Sequence, residues 1–305
     1  MIKHDATIAI VGAGAMGTAI ARGANAAGRR ITAVASRHPS QTRPLADEFG
    51  AVLVDTAADA AQHADVLILC VPDDAIGPVA TSLQDVANKL VVHTAGAKGL
   101  EVLQAAADQG AHTGSLHPVM VVATGGRGHI ALCGATAAVD GGTVACRWLM
   151  EFARDLHMEP VRIPAEHRAL YHLSAAMVGG LMTGLLASAV DLWAVLGLDR
   201  EIGAAAMGRM VQEAGRNLER LGVPEAVMGP AVRGDAGTIE QHLRVLAAEA
   251  PQLVPLYRVL VERCLPYAQE RGVLSDAQIQ AVMDVLEPRD SGAGSPASTA
   301  SASDT

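Results

Sequence analysis

The run TIAIVGAGAMGTAIARGANAAG, Thr7 to Gly28, constrains the fold more than any other stretch of this chain. A short apolar segment leads into Gly12, Gly14 and Gly17, in G-x-G-x-x-G spacing, and an alanine-rich run with helical character follows from Met16 to Ala27. A lone glycine triplet is a weak signal. Set between a strand and a helix it becomes specific, because each glycine then has its own task. Gly12 permits the tight turn, Gly14 removes a side chain so that backbone approaches a diphosphate, and Gly17 lets helix and strand pack closely. The helix head at Ala15 and Met16 turns unpaired N–H groups and a partial positive charge toward the phosphates. A dinucleotide cradle is expected here.

The pattern continues through the first half of the chain. Arg30–Ser36, Ala51–Val54, Ala64–Val71 and Lys89–Thr94 are short apolar runs separated by helical stretches. Continuous apolar runs suit strands covered on both faces, so the expected class is α/β, a doubly wound parallel sheet of Rossmann type. Further on, His129–Gly134 reads as a strand, Gly141–His157 as a helix and Glu159–Ile163 as a last edge strand. From Ala165 onward only helical patterns remain: His167–Leu196, Arg200–Leu221, Thr238–Ala248, Pro255–Gly272 and Asp276–Leu286. This places a nucleotide-binding domain at residues 1–164 and an all-α domain for substrate and dimerisation at 165–288. Residues 289–305 are a tail of small residues that cannot bury enough apolar surface to order.

Bulk composition removes other classes. A net charge of −9 leaves no basic face for nucleic acid. The four cysteines are scattered without C-x-x-C spacing, so neither a zinc site nor a disulfide framework is expected, and a cytoplasmic setting fits. No export signal is read at the N-terminus. Leu173–Val190 is 18 residues without a charge, the length of a membrane span. Its Ser174, Thr183, Ser188 and three glycines argue instead for a buried helix that another helix approaches closely, as at a dimer centre.

Cofactor choice is read at the end of the second strand. An acid there would bind a ribose hydroxyl and repel a 2′-phosphate, whereas this chain has Ser36, Arg37 and His38, with Arg43 beyond. NADP is therefore favoured over NAD, since a guanidinium pairs with phosphate. Val71 and Pro72, and Thr94 and Gly96, follow later strands and face the crevice expected for the nicotinamide. Three clusters offer chemistry. His117, fixed by Pro118 on a loop, binds a substrate carboxylate, or exchanges a proton with a carbonyl or imine, or only bonds backbone. Tyr171 and His172, in Arg168-x-x-Tyr171-His172, either line the cleft or pack where the domains join. Arg233 and Asp235, in GPAVRGD, either hold a substrate carboxylate or serve as a helix cap with its ion pair. No metal cluster, P-loop or nucleophile elbow competes.

Taken in order, VGAGAMGTAIA, CVPDDAI, HTAGAKGLEVL, GSLHPVM, ALYHLSAAMVGGLM and GPAVRGDAGTIEQHL resemble the bacterial Rossmann-like proteins with a C-terminal domain of unknown function 2520. The resemblance spans about residues 5–285. It extends to pyrroline-5-carboxylate reductase, deazaflavin-dependent NADP oxidoreductases, ketopantoate reductases and the 6-phosphogluconate and β-hydroxyacid dehydrogenases, and the His-Pro loop is similar to that of prephenate dehydrogenases. It implies an NADP-binding domain and a helical domain that forms a homodimer. The family's Asn eight residues after the Tyr-His histidine is Gly180 here, and the second domain has no lysine. The expected activity is reduction of a small carboxylated ketone, a 2-keto acid of ketopantoate type. The alternatives are an imine reductase of the pyrroline-5-carboxylate type and an NADP-binding dimer without catalysis.

Overall fold

The computed structural model describes residues 2–121, 130 and 132–287. By compactness the chain divides into two units, Met1–Met182 and Thr183–Thr305. The first unit therefore includes the opening turns of the long helical stretch that follows the last strand.

The first unit is built on one eight-stranded sheet in the order β3-β2-β1-β4-β5-β6-β7-β8. The strands are β1 (Ile8–Val11), β2 (Ile31–Ala35), β3 (Val52–Val54), β4 (Val66–Leu69), β5 (Leu90–His93), β6 (His112–Pro118), β7 (Thr136–Gly141) and β8 (Glu159–Arg162). The first six follow the doubly wound order, with its reversal between β1 and β4. All neighbours run parallel except β6 and β7, which are antiparallel. Alternate residues of each strand feed two cores. Ile8, Ile10, Val34, Ile68 and Val92 face Ile20 and Ala24 of α1 (Ala15–Ala26) and, further along the sheet, Trp148 and Phe152 of the helix Thr143–Asp155. Ala9, Val11, Ala33, Leu67 and Val91 face the other way, onto small residues such as Ala57, Ala60 and Ala80. Every residue of β1, β4 and β5 is buried, which is why these strands read as unbroken apolar runs.

Two readings of the sequence need correction. His117 and Pro118 are not in a loop; they are the last residues of β6. The strand expected over His129–Gly134 is displaced: its described residues Ile130 and Leu132 are helical, and the strand lies at β7. A short apolar run does not reveal by periodicity whether it is strand or helix, and TAAVDG carries little bulk to mark it. His129 and the tail read as disordered lie outside the described residues.

After β8, Ala165–Val195 is one helical stretch of 31 residues, long and apolar enough to cross a membrane by length and composition alone. Its regular hydrogen bonding is interrupted by a π-helical segment at Met177–Leu181. None of its most apolar window is buried within the chain itself. The apolar core of the second unit comes from other helices: Ile239 and Leu243 of Ala236–Glu249, Val261 and Leu265 of Val254–Glu270, and Val282 and Leu286 of Asp276–Leu286. Among the described residues no strand follows β8.

Candidate functional site

The glycine turn adopts the geometry its spacing demands. Gly12 has φ +97°, and a Cβ there would fall 2.4 Å from the Cys70 carbonyl oxygen. A Cβ on Gly17 would lie 1.9 Å from the Gly12 carbonyl oxygen, so α1 seats against the turn only with glycine at that place. Gly14, the N-cap of α1, faces open space and supplies no side-chain cap, leaving the first amides of the helix for another acceptor.

This turn opens into a cavity of about 480 Å³ at the carboxyl ends of β1, β2 and β4, the place where the strand order reverses. Of the residues expected at a cofactor, Gly12, Gly14, Ser36, Arg37, Val71 and Pro72 line it. Ala15, Met16, Gly17, Thr94 and Gly96 do not. His38, named beside Arg37, also lines it, as do Thr42, Thr56 and Ser82, which were missed from the sequence because a polar residue in a connecting segment carries no periodic signal. Asp55, after β3, is the single carboxylate of the lining and Arg37 its single permanent cation. The Ser36 hydroxyl accepts a bond from the His38 N–H at 3.1 Å, holding this corner in shape. The donors fit a dinucleotide: bare amides at the glycine turn, and a hydroxyl, a guanidinium and an imidazole at the end of β2.

A second cluster sits on the same carboxyl edge of the sheet. The register pairs Leu69 of β4 with His93 of β5, and His93 with Ser115 of β6, which places His117 just beyond. Gly96, expected at the cofactor, forms the seat of two rings. A Cβ there would come within 2.5 Å of His172 Cδ2 and 2.8 Å of His117 Nε2. His117 Nδ1 and the Tyr171 hydroxyl lie 2.7 Å apart, with the rings edge to face. His117 and His172 ring centroids are 6.1 Å apart. The sequence thus named three residues that the fold brings together.

Two further members complete this cluster. His93 is fully buried; its Nδ1 accepts from the Ala95 N–H, so its Nε2–H donates to the Gly99 carbonyl at 3.1 Å. Burial, then the Arg168 charge, lowers its pKa to about 4, and it remains neutral. Arg168 is 2% exposed, donates from Nη2 to the Ala95 carbonyl at 3.1 Å, and has no partner on Nε or Nη1. Burial lowers its pKa too, against the pull of Asp140. His117 is depressed to about 4, first by burial and then by His172 and Arg168. Burial lifts Tyr171 to about 12, so the phenol keeps its proton. Arg168 heads the helix and lies one turn before Tyr171, a spacing that puts both on one face.

Arg233 and Asp235 belong to the second unit. Asp235 caps Ala236–Glu249, its carboxylate accepting from the Thr238 N–H at 3.0 Å and hydroxyl at 2.7 Å. Those bonds hold its pKa below the usual carboxylate range. Arg233 lies 4.0 Å from it, largely exposed. Gly180 sits in the π-helical segment, and a side chain there would meet open space.

Comparisons agree with this layout. Residues 7–96 match the family model of coenzyme F420-dependent NADP oxidoreductases, and residues 135–264 match a domain of unknown function, DUF2520. Among solved structures, a Bacteroides fragilis protein assigned as an NADP oxidoreductase is 24% identical at a TM-score of 0.70, covering 86% of this chain and 99% of that one. A Thermotoga maritima protein is 20% identical at 0.70, covering 87% and 99%. The 1-pyrroline-5-carboxylate reductase of Streptococcus pyogenes is 16% identical at 0.60, covering 88% and 100%. At these identities the likeness is one of fold. No curated protein sequence matches the chain.

Proposed function

We propose, on the premise that the chain joins an NADP-oxidoreductase nucleotide domain to a DUF2520 domain, that it is an NADP(H)-dependent oxidoreductase reducing a small carboxylated ketone. The observation that carries this reading is the His117–Tyr171 pair, 2.7 Å between Nδ1 and hydroxyl, on the same sheet edge as the glycine cavity. Neighbouring strands are ~4.8 Å apart, so β6 lies about 10 Å from β4. A dinucleotide laid from the glycine turn along that edge brings its far end to the pair.

The chain's own residues divide the work. The amides of Gly12 to Gly14 and the head of α1 hold the diphosphate, while Ser36, Arg37 and His38 suit a 2′-phosphate and favour NADP over NAD. When bound, NADPH supplies a hydride. His117 handles the proton. With the Tyr171 hydroxyl donating to Nδ1, the neutral ring carries its proton on Nε2, on the Gly96 side, where it polarises a carbonyl oxygen. The test is NADPH absorbance against a panel of 2-keto acids, ketopantoate and cyclic imines, with NADPH and NADH affinities measured alongside. Turnover of keto acids with NADPH preferred supports the reading. Cyclic-imine turnover alone favours the alternative to which the fold of the Streptococcus pyogenes enzyme points, and tight NADPH binding without turnover favours a non-catalytic dimer.

In this reading a second copy of the chain covers apolar side chains that each unit leaves exposed. Leu173, Met177, Val178 and Leu181 are each more than half exposed, as are Ile202, Met210 and Leu218 of the helix Arg200–Leu221. Each large apolar side chain left in water forgoes roughly 1.5–3 kcal/mol. Sedimentation equilibrium should give a dimer, and Leu181→Asp a monomer; a wild-type monomer in dilute buffer would count against it. The four free cysteines suit a reducing cytoplasm.

A further inference from the structure

Arg168 is a buried cation with two of its three nitrogens unpartnered, and among the described residues it forms no ion pair. An arrangement of this kind costs stability unless something else uses the charge. The groups around it sort by direction. Asp140 of β7 and Glu101 after Gly99 bear on Arg168, and Glu101 also on His93; Asp140 accepts from the Gly141 N–H and Glu101 from the Gly99 N–H. At His117 the permanent charge that acts is that of Arg168, while Tyr171 stays neutral. Among the described residues, the Arg168 charge therefore bears on His117 and no carboxylate does. Arg168 is sealed, but His117 and His172 are each partly exposed.

We propose that His117 and His172, backed by Arg168, form a receptor for the carboxylate of a 2-keto acid, and that His117 takes up one proton as this anion binds. The inference rests on the oxidoreductase reading for its substrate class. Arg168 is a positioning residue in it: it anchors the Ala95 turn through the carbonyl bond and supplies the field, without touching the anion. An opposite charge within ~4–6 Å raises a histidine's titration point by roughly 1–3 pH units. That carries His117 from about 4 to about 5–7, where the site gains a proton near neutral pH. In a 2-keto acid the carboxylate and the carbonyl oxygen sit on adjacent carbons, so the imidazolium formed by pairing with one is within reach of the other. The proton gained on binding goes to Nδ1, the Tyr171 hydroxyl turning to the His117 carbonyl 3.4 Å away, and the Nε2 proton leaves for the carbonyl oxygen as the adjacent carbon accepts the hydride of NADPH. The products are a 2-hydroxy acid, NADP⁺ and neutral His117.

The full-length protein saturated with NADP⁺ cannot reduce the probe, so binding is read without turnover. Pyruvate and 2-ketoisovalerate are titrated calorimetrically at pH 6 in two buffers of different ionisation heat, with pyruvamide as the neutral control. Uptake of about 0.1–0.9 proton with either acid and none with the amide is expected, the fraction that a titration point of about 5–7 leaves protonated at pH 6. His117→Asn should keep weakened binding with no uptake, Arg168→Met should weaken binding at least tenfold, and Arg168→Lys should restore part of it. Should Arg168→Met fail to fold, the ¹⁵N resonances of His117 in the wild type decide, moving to imidazolium values when pyruvate is added. Binding of neither acid, binding without proton uptake, or unchanged His117 resonances overturns the proposal. Proton-coupled binding without any NADPH oxidation across the panel would retain the receptor and discard the reductase; turnover of ketones lacking a carboxylate, with no anion-linked proton, would do the reverse.

Discussion

The molecule contains the same pair twice. His117 with Tyr171, and His242 with Tyr257, each place the imidazole Nδ1 2.7 Å from the phenol oxygen, with ring centroids 5.7 Å apart and planes at 85° and 81°. The second pair joins the helices Ala236–Glu249 and Val254–Glu270, with His242 exposed and Tyr257 beside an apolar cleft that includes Leu185, Leu192 and Leu246. The first stands at the end of β6, over a glycine with no room for a methyl group, beside a buried guanidinium and a second imidazole. Identical hydrogen-bond geometry thus stands in different surroundings. What separates the pairs is burial and neighbouring charge, which hold His117 neutral and supply a field.

The largest effect expected from breaking this contrast is kinetic. His117→Asn or Tyr171→Phe should lower NADPH-linked turnover by roughly 10²–10⁴, while His242→Asn and Tyr257→Phe should leave it within about twofold; equal losses at both pairs would show that geometry alone matters. Next comes the seat. Gly96→Ala drives a Cβ into both rings and should cost roughly 10² in turnover with NADPH affinity little changed, a split read from steady-state kinetics and fluorescence titration.

The third effect is on stability. His93 titrates near 4 when folded and near 6.5 when unfolded, so the unfolded chain binds the extra proton and acid favours it. Its contribution is complete above about pH 6.5 and falls as pH drops toward 4, amounting to about 2 kcal/mol between pH 7 and pH 5. Urea unfolding at both values should show this loss in the wild type and a smaller one in His93→Gln. Smallest is the cap: Asp235→Ala should lower Tm slightly and leave turnover intact. A hundredfold kinetic loss there would instead restore Arg233 and Asp235 to the chemistry.

Legibility in the sequence followed repetition. The strands β1 to β5, the glycine turn and the helices Arg200–Leu221 and Asp276–Leu286 could be read to within a residue or two, because periodic burial and glycine spacing are local facts. His117, Tyr171 and His172 were found individually, yet their assembly on Gly96 was not. Arg168 appeared only as the first letter of a motif, since nothing in a sequence distinguishes an arginine that will be 2% exposed from one in water. The strand β7 was missed for a related reason: small residues pack a sheet well but leave a faint pattern.

By itself, then, the order of residues determined where the backbone had to turn tightly and which runs had to be covered on both faces, because steric allowance and apolar burial act on neighbours along the chain. Which imidazole loses its charge, and which of two matched hydrogen bonds stands in a positive field, was decided only by folding. Desolvation and Coulomb interaction depend on distances through space, and strands far apart in sequence set those distances.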